Sequence, residues 1–246
     1  MHIGIVGGSL EGLLLAIELA PLHDCIIFDI EPEIGTPSWN PGWILDPSLL
    51  ETYLSLEQIE FMLLHENPQG WGFRWEWLIK HLSVVAAQRG VQLRTRTRIL
   101  NTEKNDDGID LQLSITESQH SANTFVNVLI DVQNHHESGV GTKQHNLNPD
   151  YLLTPFYESK QQLWFGGLTT KKTEKPGDPQ PILILQRSDG LKELWWDRPI
   201  SWRPKSGFIE ETKVSLPDAL EELSFDAKLA QVADWLRENP ELSKSV

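Results

Sequence analysis

A glycine-rich turn near the start of the chain has residue types and spacing that suit phosphate binding. An apolar run over residues 2–6 is followed by Gly7, Gly8, Ser9 and Gly12, and then by an apolar stretch with helical spacing. Gly7 permits a tight strand-to-helix turn, a small residue at position 9 lets a pyrophosphate approach the backbone, and Gly12 lets the helix pack closely on the strand. The start of such a helix attracts phosphate. The pattern predicts a dinucleotide-binding βαβ unit, with Ser9 replacing the usual middle glycine.

An acidic residue ends the second predicted strand, which covers residues 25–29. Asp29 follows the glycines by about 20 residues, the distance at which a carboxylate accepts hydrogen bonds from an adenosine ribose. We therefore expect Asp29 in a cofactor site and the βαβ unit at the edge of a mostly parallel sheet. The alternative is a plain βαβ unit in which the glycines form a turn and the acid is solvated.

The rest of the chain predicts a mixture of helices and strands around this unit. The predicted elements are a loop over 33–42, a helix start at 46–48, a helix over 73–89, a strand over 91–94, a hairpin over 99–116, a strand over 125–131, a strand over 162–166, a hairpin over 181–196 and a C-terminal helix from 224. The fold class is therefore α/β, with a Rossmann-like domain over 1–148. Residues 149–246 would form an antiparallel sheet and the last helix.

With these elements in order, about the first 140 residues resemble the flavoprotein monooxygenase and reductase family, which includes lycopene-cyclase-like and geranylgeranyl-reductase-like enzymes. The resemblance implies an FAD cofactor on the Gly7–Gly12 turn with its ribose on Asp29, and NAD(P) as a co-substrate. It also implies a cofactor contact for Arg74, which opens the helix that ends at Gly90. Asp131 matches the acid that ends a later strand of the family's cofactor site.

Two features depart from the family pattern. Val132 and Gln133 follow Asp131, where the family has small residues and glycine. The family also has a late Gly-Asp element after a strand, and the one candidate here is Gly177-Asp178. Because no apolar strand precedes this pair and no helix follows it, the sequence predicts a turn there.

Composition excludes several classes of partner. The formal net charge of −14 argues against nucleic acid and anionic membranes, since both bind basic surfaces. A single cysteine, Cys25, lies in an apolar strand and is predicted to be a core residue, in keeping with a reducing, cytoplasmic location. No signal peptide or membrane-spanning run is visible. The 10 tryptophans favour core packing, with a flat-ligand site as the alternative.

Histidines gather in the polar stretch 135–148. His135, His136, Glu137 and His145 do not match an established zinc spacing, so no metal site is predicted. A histidine–carboxylate acid/base pair near a ligand is favoured over a metal. The sequence identifies no catalytic residue.

Two functions from different classes remain open. The first is an FAD-dependent oxidoreductase acting on a small organic substrate, with Trp164, Trp195 and Trp196 on the substrate side. The second is a non-catalytic protein that keeps the dinucleotide-binding fold and binds a small molecule or a protein partner. The missing late Gly-Asp element favours the second, and the glycine turn with its acid favours the first.

Overall fold

The computed structural model describes residues 1–35, 39–115, 121–133, 144–155, 160–170, 172 and 176–243. The chain divides into two compact units. Unit 1 contains Met1–Ser38, Ile79–Tyr157 and Leu229–Val246, and unit 2 contains Trp39–Leu78 and Glu158–Lys228. The division differs from the expected single boundary after residue 148, because contacts in space join segments that are distant in sequence.

The elements follow one another in the order expected of an α/β chain. The strands are β1 (His2–Val6), β2 (Asp24–Phe28), β3 (Trp43–Ile44), β4 (His65–Asn67), β5 (Gly70–Gly72), β6 (Gln92–Arg94), β7 (Thr97–Lys104), β8 (Ile109–Ile115), β9 (Ser121–Val126), β10 (Val128–Asp131), β11 (Leu152–Leu153), β12 (Gln161–Thr170), β13 (Leu183–Gln186), β14 (Leu191–Trp196) and β15 (Glu210–Pro217). The α-helices are α1 (Leu10–Leu19), α2 (Leu56–Phe61), α3 (Trp75–Gln88), α4 (Phe225–Glu238) and α5 (Pro240–Ser243). Short 3-10 helices cover Pro47–Thr52, Pro149–Tyr151 and Leu220–Leu223.

Unit 1 is built on a parallel sheet with the strand order β11-β10-β1-β2-β6. The βαβ prediction is confirmed, since β1, α1 and β2 lie where the sequence places them. Its expected position at the sheet edge is wrong, because β1 is central. Ile3 pairs with Cys25 of β2 on one side and with Val128 of β10 on the other. A strand buried on both faces reads as a continuous apolar run, and such a run does not encode its place in the sheet.

A three-stranded antiparallel meander, β7-β8-β9, completes the strands of unit 1. The single strand predicted over 125–131 is two strands, with β9 in the meander and β10 in the parallel sheet. Asn127 lies between them, where its N–H donates to the His2 carbonyl and its Oδ1 accepts the His2 N–H at 2.7 Å. The chain changes sheets at Asn127, and the local apolar pattern does not show the change.

The meander and the parallel sheet share an apolar core. It contains Val6, Ile26, Phe28, Ile99, Ile109, Leu111, Leu113, Val126 and Leu129. Cys25 is also buried, and burial raises the pKa of its thiol to about 12. It is therefore an inert core side chain, as predicted. None of the helices in the described part of the chain has the length and apolarity needed to cross a bilayer.

Unit 2 contains an antiparallel sheet with the order β13-β14-β12-β15 and a smaller sheet with the order β3-β5-β4. Its core is rich in tryptophan, with Trp43, Trp164 and Trp195 packed among aliphatic side chains. Trp196 is also fully buried, on the other face of β14, 6.3 Å from the ring of Phe208. The expectation that Trp164, Trp195 and Trp196 face a substrate is wrong, because these side chains form the core.

A buried ion-pair network holds β14 to neighbouring loops within unit 2. Arg187 donates to Glu193 at 3.1 Å and to Asp189. Glu193 also accepts the Gly42 N–H at 3.1 Å and the Trp195 indole N–H at 3.3 Å. Burial raises the pKa of Glu193, and the Arg187 charge opposes that effect. The pair is nearly inaccessible to water, so each charge depends on the other.

Replacing Arg187 with alanine should lower the free energy of unfolding by roughly 3–5 kcal/mol, because Glu193 would remain buried without its counter-charge. Urea unfolding followed by tryptophan fluorescence would measure the loss. Adding Glu193→Gln to the Arg187 variant should recover part of it. Arg198→Ala is the matched control, since Arg198 is exposed beside Asp197 and should change stability little. A small loss in the Arg187 variant would contradict this interpretation.

Candidate functional site

The glycine turn lies at the carboxyl end of the central strand β1. Gly7 has φ +105°, a conformation that side chains disfavour, and its N–H donates to the Phe28 carbonyl at 3.0 Å. A Cβ added at Gly7 would lie 2.8 Å from the Cγ of Gln133, and one at Gly12 would overlap the Gly7 carbonyl oxygen. Both positions therefore require glycine, for the reasons that the sequence pattern gave.

Helix α1 begins immediately after this turn, with Ser9 as its N-cap. The Ser9 Oγ accepts the Gly12 N–H at 3.3 Å, which leaves the hydroxyl proton available to donate to another group. The first N–H groups of an α-helix have no carbonyl partner within the helix, and the helix dipole is positive at this end. The turn therefore presents backbone donors and the positive end of the helix dipole, with no lysine or arginine in it and with Glu11 as the acidic residue of the first helical turn.

The Asp29 carboxylate binds the glycine turn directly. It accepts the Gly8 N–H at 3.1 Å, the Glu31 N–H at 2.9 Å and the Gly35 N–H at 3.5 Å, and the residue is only 7% exposed. Burial raises the pKa of Asp29, while these N–H donors lower it. The alternative of a solvated acid is wrong, because Asp29 is buried and binds backbone N–H groups at the carboxyl ends of β1 and β2.

The loop 31–35 closes onto Gly8. A Cβ added at Gly8 would overlap the Asp29 carboxylate and would lie 2.7 Å from the Cγ2 of Ile34. Gly35 has φ +67°, so this loop also depends on a left-handed glycine. The sequence predicted a loop here from its turn formers, but not that the loop packs against the fingerprint.

Asp131 lies at the same edge of the sheet, at the end of β10. It pairs in register with Val6, it is fully buried, and its Oδ1 accepts the Gln133 N–H at 3.0 Å. The sequence-predicted residues of unit 1 are therefore brought together at one edge. They are Gly7, Gly8, Ser9, Gly12, Asp29 and Asp131.

The residues after Asp131 fill space beside the turn. The Cγ2 of Val132 would lie 3.0 Å from a Cβ at Gly12, and Gln133 covers Gly7 as described above. The Val132 N–H donates to the Val6 carbonyl, which fixes this segment against β1. Two larger side chains thus pack where the resembled family has small residues.

The fifth strand of the parallel sheet does not carry a Gly-Asp element. β11 pairs with β10 through Leu152 and Leu153, and Thr154 and Pro155 follow it. The Gly177-Asp178 pair belongs to unit 2, where it lies outside the strands and Gly177 packs against Trp202. Asp178 and Pro179 form a bend, in agreement with the turn predicted here.

Arg74 belongs to unit 2 and lies directly before α3. Its Nε donates to Glu76 at 3.3 Å, and its guanidinium lies 5.6 Å from the centre of the Trp77 ring. With Met62, Leu63, Trp77, Arg187, Ser188 and Asp189 it lines a shallow depression of unit 2. A cofactor contact by Arg74 stays a prediction.

His145 has a structural role. Its Nδ1 accepts the Ile99 N–H at 3.0 Å, next to the irregularity of β7 between Ile99 and Asn101. Asn146 continues along the same strand edge through bonds to the carbonyls of Ile99 and Leu100. Among the described residues His145 has no carboxylate partner, so the expected acid/base pair is not formed by His145.

The remaining members of the histidine cluster, His135, His136 and Glu137, lie outside the described residues. Within the described ranges, no three His, Cys, Asp or Glu side chains are grouped so as to hold a metal ion.

Comparison with solved structures identifies the architecture. The rebeccamycin biosynthetic enzyme RebC with reduced flavin matches with a TM-score of 0.55 and 13% identity, over 88% of this chain and 52% of that one. The OxyS anhydrotetracycline hydroxylase from Streptomyces rimosus matches at 0.52 and 12%, over 89% and 53%. A flavoprotein/dehydrogenase from Cytophaga hutchinsonii matches at 0.53 and 10%, over 88% and 66%.

This chain shares its fold with flavin enzymes. The resemblance inferred from the sequence is thereby supported at the level of the fold. The chain spans about half the length of RebC and OxyS. No protein-family profile matches the sequence, and no curated protein sequence does.

The environment of His145 makes stability depend on pH. Burial, with the nearby Arg98 charge, lowers the pKa of His145 from 6.5 to about 4. A lowered pKa means that the folded protein favours the neutral ring. The contribution of His145 to the free energy of unfolding is therefore complete above pH 6.5, and it is lost as the pH falls toward 4 because the unfolded chain binds the proton first. Between pH 7 and pH 4 the wild type should lose roughly 1–3 kcal/mol more unfolding free energy than His145→Gln.

Denaturant titrations at several pH values would check this. Glutamine keeps an acceptor for the Ile99 N–H but does not titrate, and at pH 8 both side chains are neutral, so that measurement serves as the reference. Identical pH profiles for the two proteins would show that His145 does not titrate as described.

Proposed function

We propose that this chain is a flavin-dependent oxidoreductase of the monooxygenase or reductase type, which uses FAD and acts on a small organic substrate. The observation that carries the proposal is the glycine turn beside the buried Asp29, at the carboxyl edge of a parallel sheet whose fold is shared with flavin enzymes. NAD(P) as a co-substrate and a cytoplasmic location belong to the same proposal.

The glycine turn suits the pyrophosphate of a dinucleotide. Gly7 and Gly8 present backbone without side chains, and the N-terminus of α1 offers N–H groups aligned with the helix dipole. The Ser9 hydroxyl retains a proton to donate to a phosphate oxygen. These groups would bind the phosphates without a lysine or arginine in the turn.

Asp29 suits the ribose of the adenosine. The carboxylate accepts the N–H groups of Gly8, Glu31 and Gly35, and the Ile30 N–H also lowers its pKa. A ribose hydroxyl would therefore share the acceptor positions of this carboxylate with backbone N–H groups. Because burial raises the pKa of Asp29, acidification would protonate it earlier than an exposed aspartate and remove this acceptor.

The chemistry would come from the cofactor, since a flavin accepts and donates electrons while the protein binds and orients it. Asp131 would support the site indirectly, by holding the Gln133 N–H at the end of β10. The proposed contact of Arg74 rests on the sequence resemblance. No acid or base is assigned to the reaction.

Replacing Asp29 with alanine should weaken FAD binding by roughly 1–3 kcal/mol, the cost of a lost hydrogen bond to a charged acceptor. Calorimetric titration with FAD and NAD would measure the loss. FMN lacks the adenosine, so its affinity should be unchanged in the variant. Asp24→Ala is the matched control, because Asp24 is an exposed acid at the start of the same strand.

Asp29 also holds the turn, so the melting temperature of the variant must be measured beside its affinity. Equal FAD affinity in the wild type and in Asp29→Ala would remove Asp29 from the site. A parallel loss of FMN and FAD affinity would indicate general damage to the turn.

A non-catalytic protein is the second candidate, and two observations favour it. Val132 and Gln133 pack against the glycine turn, and β11 is followed by Thr154 and Pro155 instead of a Gly-Asp pair. Such a protein would retain the fold and bind a small molecule or a protein partner, with little or no affinity for FAD.

If the second side of the cofactor site is lost, the purified protein should be largely colourless unless FAD is added. Absorbance in the flavin band after gel filtration would decide. Gln133→Gly should then raise FAD affinity, because it removes the side chain that covers Gly7. A stoichiometric yellow complex of the wild type would contradict the non-catalytic function.

A further inference from the structure

Strand β15 forms one edge of the four-stranded sheet of unit 2. It pairs with β12 along its whole length, from Glu210 opposite Leu168 to Pro217 opposite Gln161. Within the described part of the chain, no strand pairs with its other side. An open strand edge carries unpaired N–H and C=O groups, which favour pairing with another strand.

The antiparallel pairing of β12 with β15 decides which backbone groups of β15 point toward β12 and which point away from it. Pro217 has no N–H, so its pair with Gln161 cannot exchange hydrogen bonds, and the neighbouring Asp218 N–H donates to the Lys160 carbonyl at 2.8 Å. Bonded and non-bonded pairs alternate in an antiparallel ladder. The even-numbered residues therefore point their backbone groups at β12, and Glu211, Lys213 and Ser215 point theirs outward.

The opposite edge of this sheet is protected by side chains. Asn67 accepts the Gln186 N–H at 2.9 Å and donates to the Gln186 carbonyl at 3.1 Å. Gln69 accepts the Ile184 N–H at 3.3 Å and donates to the Ile182 carbonyl at 2.9 Å. These two side-chain amides bond the outer backbone groups along β13, as a neighbouring strand would. Among the described residues, none does the same for the N–H groups of Glu211, Lys213 and Ser215.

The charges on β15 are complementary to those on a second copy of the same strand. Glu211 and Lys213 flank Thr212, are exposed, and lie on the same face of the sheet, opposite Gly167 and Phe165. Within the chain Glu211 pairs with Arg203 at 3.0 Å and the Lys213 Nζ lies 5.9 Å from the centre of the Phe165 ring. Both side chains of the Arg203–Glu211 pair are about half exposed, so Glu211 can also face a lysine of a second copy. In an antiparallel pair of two β15 strands with its two-fold axis at Thr212, each Glu211 lies opposite the partner's Lys213. A two-fold axis at Lys213 would instead place like charges opposite each other, which is unfavourable.

This register also matches the outward backbone groups. Glu211 and Lys213 are both outward-facing, so each cross-copy pair can exchange two N–H to carbonyl bonds. The contact is isologous, because the same residues serve on both copies and the symmetry closes at two chains. We propose that β15 is a self-association strand, which joins two copies of this chain into a dimer through one continuous sheet.

Sedimentation velocity of the full chain over a range of concentrations, at about 0.15 M salt to screen the net charge of −14, would test the proposal. The wild type should show a monomer–dimer equilibrium. Lys213→Glu should weaken the dimer about tenfold or more, equal to ~1.4 kcal/mol, because it places glutamate opposite Glu211 in both pairs. The charge-swapped double variant Glu211→Lys, Lys213→Glu should restore dimerisation.

Lys213→Pro tests the backbone separately from the charges. It removes an outward N–H that β12 does not use, so the monomer should keep its melting temperature while the dimer is lost. Lys104→Glu is the control, because it makes the same change in net charge at an exposed position of unit 1. A wild type that stays monomeric would overturn the proposal, as would a dimer insensitive to both substitutions at Lys213.

Discussion

The hydrogen bonds from backbone N–H groups to the Asp29 carboxylate are the interaction on which the rest of unit 1 depends. They join three pieces of backbone: the glycine turn after β1, the end of β2, and the loop 31–35. A carboxylate buried to this degree is costly unless its oxygens are bonded, and backbone N–H groups meet that requirement without a counter-charge. The edge of the parallel sheet is therefore shaped before any ligand binds. Glycine at position 8 is the sequence condition for this contact, because a side chain there would displace the carboxylate.

Unit 2 also contains a buried carboxylate that accepts N–H groups, but this one is paired with an arginine. Glu193 accepts the Gly42 N–H and the Trp195 indole N–H, and Arg187 supplies the counter-charge. In both units a buried carboxylate fixes loops that would otherwise be held only by apolar contacts. In unit 2 the network also binds the indole N–H of Trp195, which belongs to the same apolar core as Trp43 and Trp164.

The site of unit 1 has one well-formed side. In the proposed function, the turn and the helix end would bind a pyrophosphate and Asp29 would bind a ribose. The residues at the ends of β10 and β11 do not add to this side. Val132 and Gln133 fill space beside the glycines, and Thr154 and Pro155 follow β11, so that strand does not end in a Gly-Asp pair. The two proposed functions differ in the FAD affinity that this side would provide alone: enough for an enzyme in the first, and little or none in the second. The fold that carries this turn is shared with flavin enzymes.

The sequence by itself determined the βαβ unit, the need for glycine at Gly7 and Gly12, and the approach of Asp29 to the turn. Backbone conformation, strand length and helix capping are local properties, so residue type and spacing encode them directly. Only the tertiary structure decided that β1 is central, that the chain changes sheets at Asn127, and that His145 supports β7. Each of these depends on pairing between segments far apart in the chain, and the local apolar pattern is the same whichever partner a strand selects.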